Sequence, residues 1–310
     1  MTNTLDAFAR AATNPLLRVT PRTNNDGLQG AISHLNTPVR TGIVRVQRAL
    51  RLLAGFGALR RDQLETLLLA DEALAPASRR VATHRAVAEL RDRGLVQTIA
   101  LASRGSAAPR GYALTERGHG LYGASDPGYP RRRTKRVLSV VLLDHAVALA
   151  DIALAFRDAV TQAGDIALLW ESDWEAVARL GTTLAIPDAL VTLEQGGWRT
   201  RAFIEADRST EWLSAFATKV RRYVDLYRRE DWRRAMGAWP LVLTVTTSDT
   251  HACSLARVAQ RVAVAEGGSP IARAFRFTSV DKLGTRGALA QIWHVGGTNE
   301  QVTILGARPA

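Results

Sequence analysis

Residues 186–207 read Ile186-Pro-Asp-Ala-Leu-Val-Thr-Leu-Glu-Gln-Gly-Gly-Trp-Arg-Thr-Arg-Ala-Phe-Ile-Glu-Ala-Asp207. Two strand-like runs, 186–193 and 199–206, flank Glu194-Gln-Gly-Gly-Trp198, a loop whose length and glycines favour a β-hairpin. That pairing sets Asp188 and Glu205 on neighbouring strands. Two carboxylates held this way, with a backbone carbonyl such as that of Ala206, offer the hard oxygen ligands that Mg²⁺ prefers. A cation there can activate water against a phosphodiester, so Mg²⁺ or Mn²⁺ is the expected cofactor.

Working outward, the 310-residue chain suits two domains, and 46% hydrophobic residues are enough to fill both cores. Its one cysteine, Cys253, excludes an internal disulfide scaffold and a cysteine-based zinc finger, and a reducing cytoplasm is the expected location. The first residues lack a basic segment followed by an apolar run, so no secretory signal is expected. The longest apolar stretch, 137–156, is broken by Asp144, His145 and Asp151, which reads as a buried helix and not a membrane span.

The net charge of +12 is unevenly spread. Residues 1–136 carry 22 Lys+Arg against 10 Asp+Glu, whereas the rest of the chain carries 19 of each. A basic N-terminal part beside a neutral C-terminal part is the electrostatic footprint of a nucleic-acid binder, and double-stranded DNA is the expected partner. Arginine bias across a genome is the bland alternative, but it does not by itself create the asymmetry.

Residues 1–38 are polar and aperiodic and are expected to form a flexible arm, with at most a short helix near 6–12. A helix N-capped by Thr41 and ended by Gly55 comes next, then one over 61–69, then a third from Ser78 to Arg93 that stops at Gly94. Strands over 95–100 and 112–114 follow. Helix, helix, helix, strand, loop, strand is the order of a winged helix, expected over residues 39–123. Thr83, Val87 and Leu90 share the core-facing side of the third helix, leaving Arg80, His84 and Arg85 outward, with Ser78 and Arg79 in the first turn. Arginines there can read guanine in the major groove, while Arg104 and Arg110 on the wing approach phosphates or the minor groove. A solvated, arginine-rich surface of a protein-binding winged helix is the alternative.

A Gly/Pro-rich stretch and the run Arg131-Arg-Arg-Thr-Lys-Arg136 make 124–136 a basic linker. Beyond it a helix over 137–160, with His145 on its apolar side, opens the second domain, residues 137–310. A strand over 166–170 ends at Glu171, which either approaches the carboxylate pair or begins a turn. After the hairpin, a helix from Ser209 or Thr210 to Arg229 buries Leu213, Phe216, Val220, Tyr223 and Tyr227, with Lys219 at the edge of that seam. No Walker-type phosphate loop is present.

Pro187-Asp188 followed by Glu205-Ala206-Asp207 resembles the PD-(D/E)XK nuclease motif, except that Asp207 stands where that motif has a lysine. The wider run, Ile186-Pro-Asp-Ala-Leu, Phe203-Ile-Glu-Ala-Asp-Arg-Ser-Thr and Lys219-Val-Arg-Arg-Tyr223, is similar to the replication-relaxation family of plasmid and mobile-element proteins. The resemblance extends over roughly residues 40 to 247. It implies a mixed α/β fold: an N-terminal winged helix followed by a restriction-endonuclease-like α/β domain with a central mixed sheet. It also implies a role in replication and DNA relaxation.

As a nuclease, the chain holds its metal on Asp188 and Glu205, with Asp207 beside them. The missing cation comes from Lys219 or from Arg208, an arginine being a good phosphate binder and a poor proton acceptor. The alternative is a non-catalytic DNA-binding regulator whose nuclease-like domain serves binding or forms a homodimer. Fold alone does not decide between them.

Overall fold

The computed structural model describes residues 17–19, 38–101, 110–126, 128–130, 139–208, 213–230, 232–298 and 300–305. The fold is mixed α/β, and the described residues form two compact units that divide between Asp151 and Ile152, inside the helix Val140–Ala163. The strands are β1 (Leu17–Val19), β2 (Ala58–Arg60), β3 (Val96–Ala100), β4 (Arg110–Leu114), β5 (Ala167–Ser172), β6 (Ala189–Gln195), β7 (Trp198–Ala206), β8 (Leu241–Thr246), β9 (Phe275–Ser279), β10 (Trp293–Val295) and β11 (Gln301–Val302).

In the first unit the helices Pro38–Phe56, Arg61–Leu68 and Pro76–Asp92 bury Leu50, Leu53, Leu64, Leu67 and Leu90. A three-stranded antiparallel sheet in the order β2-β4-β3 completes it. Thr41 and Ser78, expected as N-caps, instead lie inside their helices. Each helix begins at a proline, Pro38 or Pro76, whose fixed φ and missing N–H suit the first helical position. At the far end of Pro76–Asp92, Gly94 adopts φ +67°, a left-handed conformation that ends the helix as expected.

The second unit is built on an eight-stranded mixed sheet in the order β1-β5-β6-β7-β8-β9-β10-β11. Strands β5, β6 and β7 form an antiparallel meander, and β8 and β9 then run parallel to β7. The crossover helices Leu213–Arg229 and Asp249–Ala265 pack against each other and share one core with the sheet, so they cover one face together, as two crossovers of the usual right hand would. Phe203, Phe216, Tyr223, Phe275 and Phe277 form the core beneath them. On the opposite face Phe156 meets Trp170 and Trp293, with ring centroids 6.1 and 6.4 Å away. Among the described residues no helix is long and apolar enough to cross a membrane.

Other local readings change as well: the first helix runs through Gly55 to Phe56, and Leu213 is exposed. The β6–β7 connection is a two-residue turn, Gly196-Gly197 at φ +56° and +82°, and Gln195 pairs with Trp198. Two consecutive positive φ angles define the type I′ geometry that matches strand twist, so the strands extend further than expected. At its other end β6 starts at Ala189, because Pro187 has no N–H to give the ladder. Leu17–Val19, in the stretch expected as a flexible arm, is an edge strand with Leu17 opposite Trp170. Three residues are too few to display an alternation. The other expectations for the arm, including a helix near 6–12, and those for Arg104 and the basic run 131–136, lie outside the described residues.

Candidate functional site

The hairpin brings Asp188 and Glu205 together as its register requires. Asp188 N–H donates to the Ile204 carbonyl at 3.0 Å, and Ala206 N–H donates to Asp188 Oδ2 at 2.8 Å. The Asp188 side chain is thereby clamped onto the end of β7. Along β7, Phe203 and Glu205 point to the helix-covered face and Ala202 and Ile204 to the other, by the two-residue period of a strand.

Glu205 is 1% exposed. Lys219 and Tyr223, one helical turn apart on Leu213–Arg229, both reach it: Lys219 Nζ lies 2.8 Å from Oε2, and the Tyr223 hydroxyl donates to Oε1 at 2.5 Å. Each carboxylate oxygen is thus satisfied once. Burial pushes the Glu205 carboxyl up to about 7, with the Lys219 ammonium opposing that rise and the Asp188 charge adding to it. The Tyr223 hydroxyl is raised as well, first by burial and then by the Glu205 charge.

Asp207, the acid at the position where a lysine is expected, faces His251, whose Nε2 lies 2.8 Å from Asp207 Oδ2. His251 sits in the first turn of Asp249–Ala265, a helix capped by Ser248, whose Oγ accepts from His251 N–H at 3.2 Å. Asp207 N–H donates to the Val245 carbonyl at 2.9 Å, which draws the end of β7 against the end of β8. In a parallel pair both strands finish at the same edge, so the loops that follow them are neighbours.

Asp188, Glu205, Asp207, Lys219, Tyr223 and His251 therefore gather at the carboxyl end of β7. The sequence pointed to the acids and to Lys219. It missed His251, and it missed the hydroxyl of Tyr223 as a partner of Glu205. Arg208 is half-buried beside Asp207 in the chain. Glu171 is paired elsewhere, with Arg179 Nη2 at 2.6 Å, and burial raises its carboxyl against that pairing.

The carboxylates of Asp188 and Glu205 are hard oxygen donors, the kind that Mg²⁺ and Mn²⁺ take; Asp188 Oδ2 already accepts from Ala206 N–H, and the two Glu205 oxygens are engaged by Lys219 and Tyr223.

In the first unit, Thr83, Val87 and Leu90 are buried, while Ser78, Arg80, His84 and Arg85 are exposed on the other side of Pro76–Asp92. Arg80, His84 and Arg85 have no ion-pair partner among the described residues. Arg79 is turned inward: its Nη1 donates to the carbonyls of Leu69 and Glu72 at 3.1 and 3.3 Å. With the Arg45–Glu72 and Arg48–Asp71 pairs it pins the loop before the helix. Arg110 is exposed on β4.

Residues 50–242, more than half of the chain, match the profile of the family described as Replication-relaxation. The chain belongs to the replication-relaxation family. No curated protein and no solved structure matches it. The match in this replication-relaxation protein contains the Pro76–Asp92 helix, the hairpin and Lys219 with Tyr223.

Proposed function

We propose that this replication-relaxation protein binds duplex DNA of a plasmid or mobile element through its first unit, and nicks it at the Glu205 centre with the help of a divalent cation. The single observation carrying the catalytic part is Lys219. Its ammonium, 2.8 Å from Glu205, stands in for the cation that Asp207 cannot supply. The chain has three lysines among 41 basic residues, and one of them serves this centre. A compact ammonium able to give up a proton suits that role better than a guanidinium.

Asp188 and Glu205 would hold Mg²⁺ or Mn²⁺, which when bound supplies Lewis acidity toward phosphate oxygen and water. Lys219 neutralises charge on the phosphate. Asp207 orients the His251 ring, and that imidazole accepts a proton from the attacking water. In the first unit we read the three helices and the small sheet as a winged helix, with Arg80, His84 and Arg85 facing the groove and Arg110 facing phosphates.

One observation favours a second reading, a non-catalytic DNA-binding regulator. Glu205 is deeply buried, with both oxygens already held by Lys219 and Tyr223, so the centre is also complete as a structural ion pair. Calorimetry with Mn²⁺ separates the two. The nuclease reading predicts saturable binding that falls in Asp188→Ala and in Glu205→Ala but not in Asp225→Ala, a change at an exposed helix position. Equal binding by all four proteins, or none by wild type, supports the regulator.

A further inference from the structure

A second cluster of ligating side chains lies on the other side of the helix that carries His251. Asp249 and Cys253 are four residues apart on Asp249–Ala265 and share one face, whereas His251 is turned about 200° away from Asp249. Facing them from β10 is His294. Its Nε2 is 2.8 Å from Asp249 Oδ1 and 3.8 Å from Cys253 Sγ. One donor atom from each residue fits within a group whose members are all within 4.8 Å of one another. Tetrahedral zinc, with bonds of about 2.0–2.3 Å, sets its donors roughly 3.3–3.6 Å apart, so small side-chain movements suffice.

We infer that Asp249, Cys253 and His294 form a zinc site. The inference is independent of the nicking centre. Three features carry it. The first is convergence on one imidazole: Asp249 Oδ1 meets its Nε2, and Cys253 Sγ lies against the same ring. A Cys-His-Asp nucleophilic triad needs the acid on one ring nitrogen and the thiol in line with the other, and Sγ is nearly equidistant from both, at 3.8 and 3.9 Å. The second is a cation already drawn to the cluster. Lys282 Nζ lies 2.7 Å from Asp249 Oδ1 and 3.4 Å from His294 Nε2.

The third feature is access. A cavity of about 320 Å³ opens onto Cys253 and His294 and is lined further by Arg257, Gly297 and Thr298. Three protein ligands with an open side is the arrangement of a zinc ion that keeps a water or a small anion in its fourth position. The thiolate and imidazole select zinc over magnesium, which prefers oxygen.

Because Cys253 is the chain's single cysteine, a thiolate-to-cobalt charge-transfer band reports this site alone. The full-length protein is stripped with a chelator, titrated with Co²⁺ while the near-ultraviolet spectrum is followed, and then back-titrated with Zn²⁺. We expect the band in wild type and its loss in Cys253→Ser. Zinc affinity should fall at least about tenfold in His294→Ala, the scale on which changes around a metal act. Lys282→Met should tighten zinc severalfold by removing the competing ammonium. Circular dichroism checks that each variant is folded; if Cys253→Ser or His294→Ala fails that check, the wild-type band and the Lys282→Met shift decide. No band in cobalt-saturated wild type overturns the assignment, as does unchanged zinc affinity in both folded His294→Ala and Lys282→Met.

Discussion

Glu205 is the residue on which the second unit turns, and its surroundings make two predictions. Tyr223→Phe removes the donor to Oε1 inside a fully buried site. Leaving that oxygen unpaired should cost about 1–3 kcal/mol in a denaturant titration. The second prediction concerns pH. A carboxyl raised from 4.5 to about 7 binds its proton more tightly folded than unfolded. The stability it contributes is present below about 4.5 and is lost as pH rises through about 7. Wild type should therefore lose stability over that window relative to Glu205→Gln, which cannot titrate there. Parallel curves for the two proteins would place the proton elsewhere. Because a bound cation requires the ionised carboxylate, Mn²⁺ affinity should rise over the same window.

At the scale of elements, the hairpin and the Pro76–Asp92 helix were the most legible parts of the chain, for different reasons. Gly196-Gly197 between two β-rich runs has one common structural outcome, and it fixed the register that pairs Asp188 with Glu205. The spacing of Thr83, Val87 and Leu90 separated the buried from the exposed side of the helix. Helix starts were misread where Pro38 and Pro76 competed with Thr41 and Ser78, because a proline at the first position needs no side-chain cap. Strands β1 and β2, three residues each, carry too little pattern to be seen. Distant pairings were invisible for a simpler reason: His251 meets Asp207 across 44 residues, and nothing local records that meeting. The outward face of the helix yields a prediction of its own. Arg80→Ala with Arg85→Ala should weaken duplex binding and flatten its salt dependence, read by anisotropy at several salt concentrations. Arg79→Ala should instead lower stability, since its guanidinium holds the loop carbonyls. Unchanged affinity in the double variant would remove this helix from the DNA interface.

For the whole molecule, charge and chemistry are divided between two units: exposed arginines in the first, and a buried acid with its lysine in the second. In the proposed function the first unit holds the duplex and the second opens a strand. The two halves of the proposal can be tested separately, since loss of the centre should abolish nicking and spare duplex binding. The most direct measurement incubates supercoiled plasmid with full-length protein and Mg²⁺ or Mn²⁺, and follows the open-circular product on a gel, with Lys219→Ala beside wild type. The account predicts metal-dependent nicking by wild type and its loss in Lys219→Ala, while duplex affinity stays the same. Plasmid that remains supercoiled with wild type at millimolar metal, under conditions where the protein is bound to it, would contradict the catalytic claim.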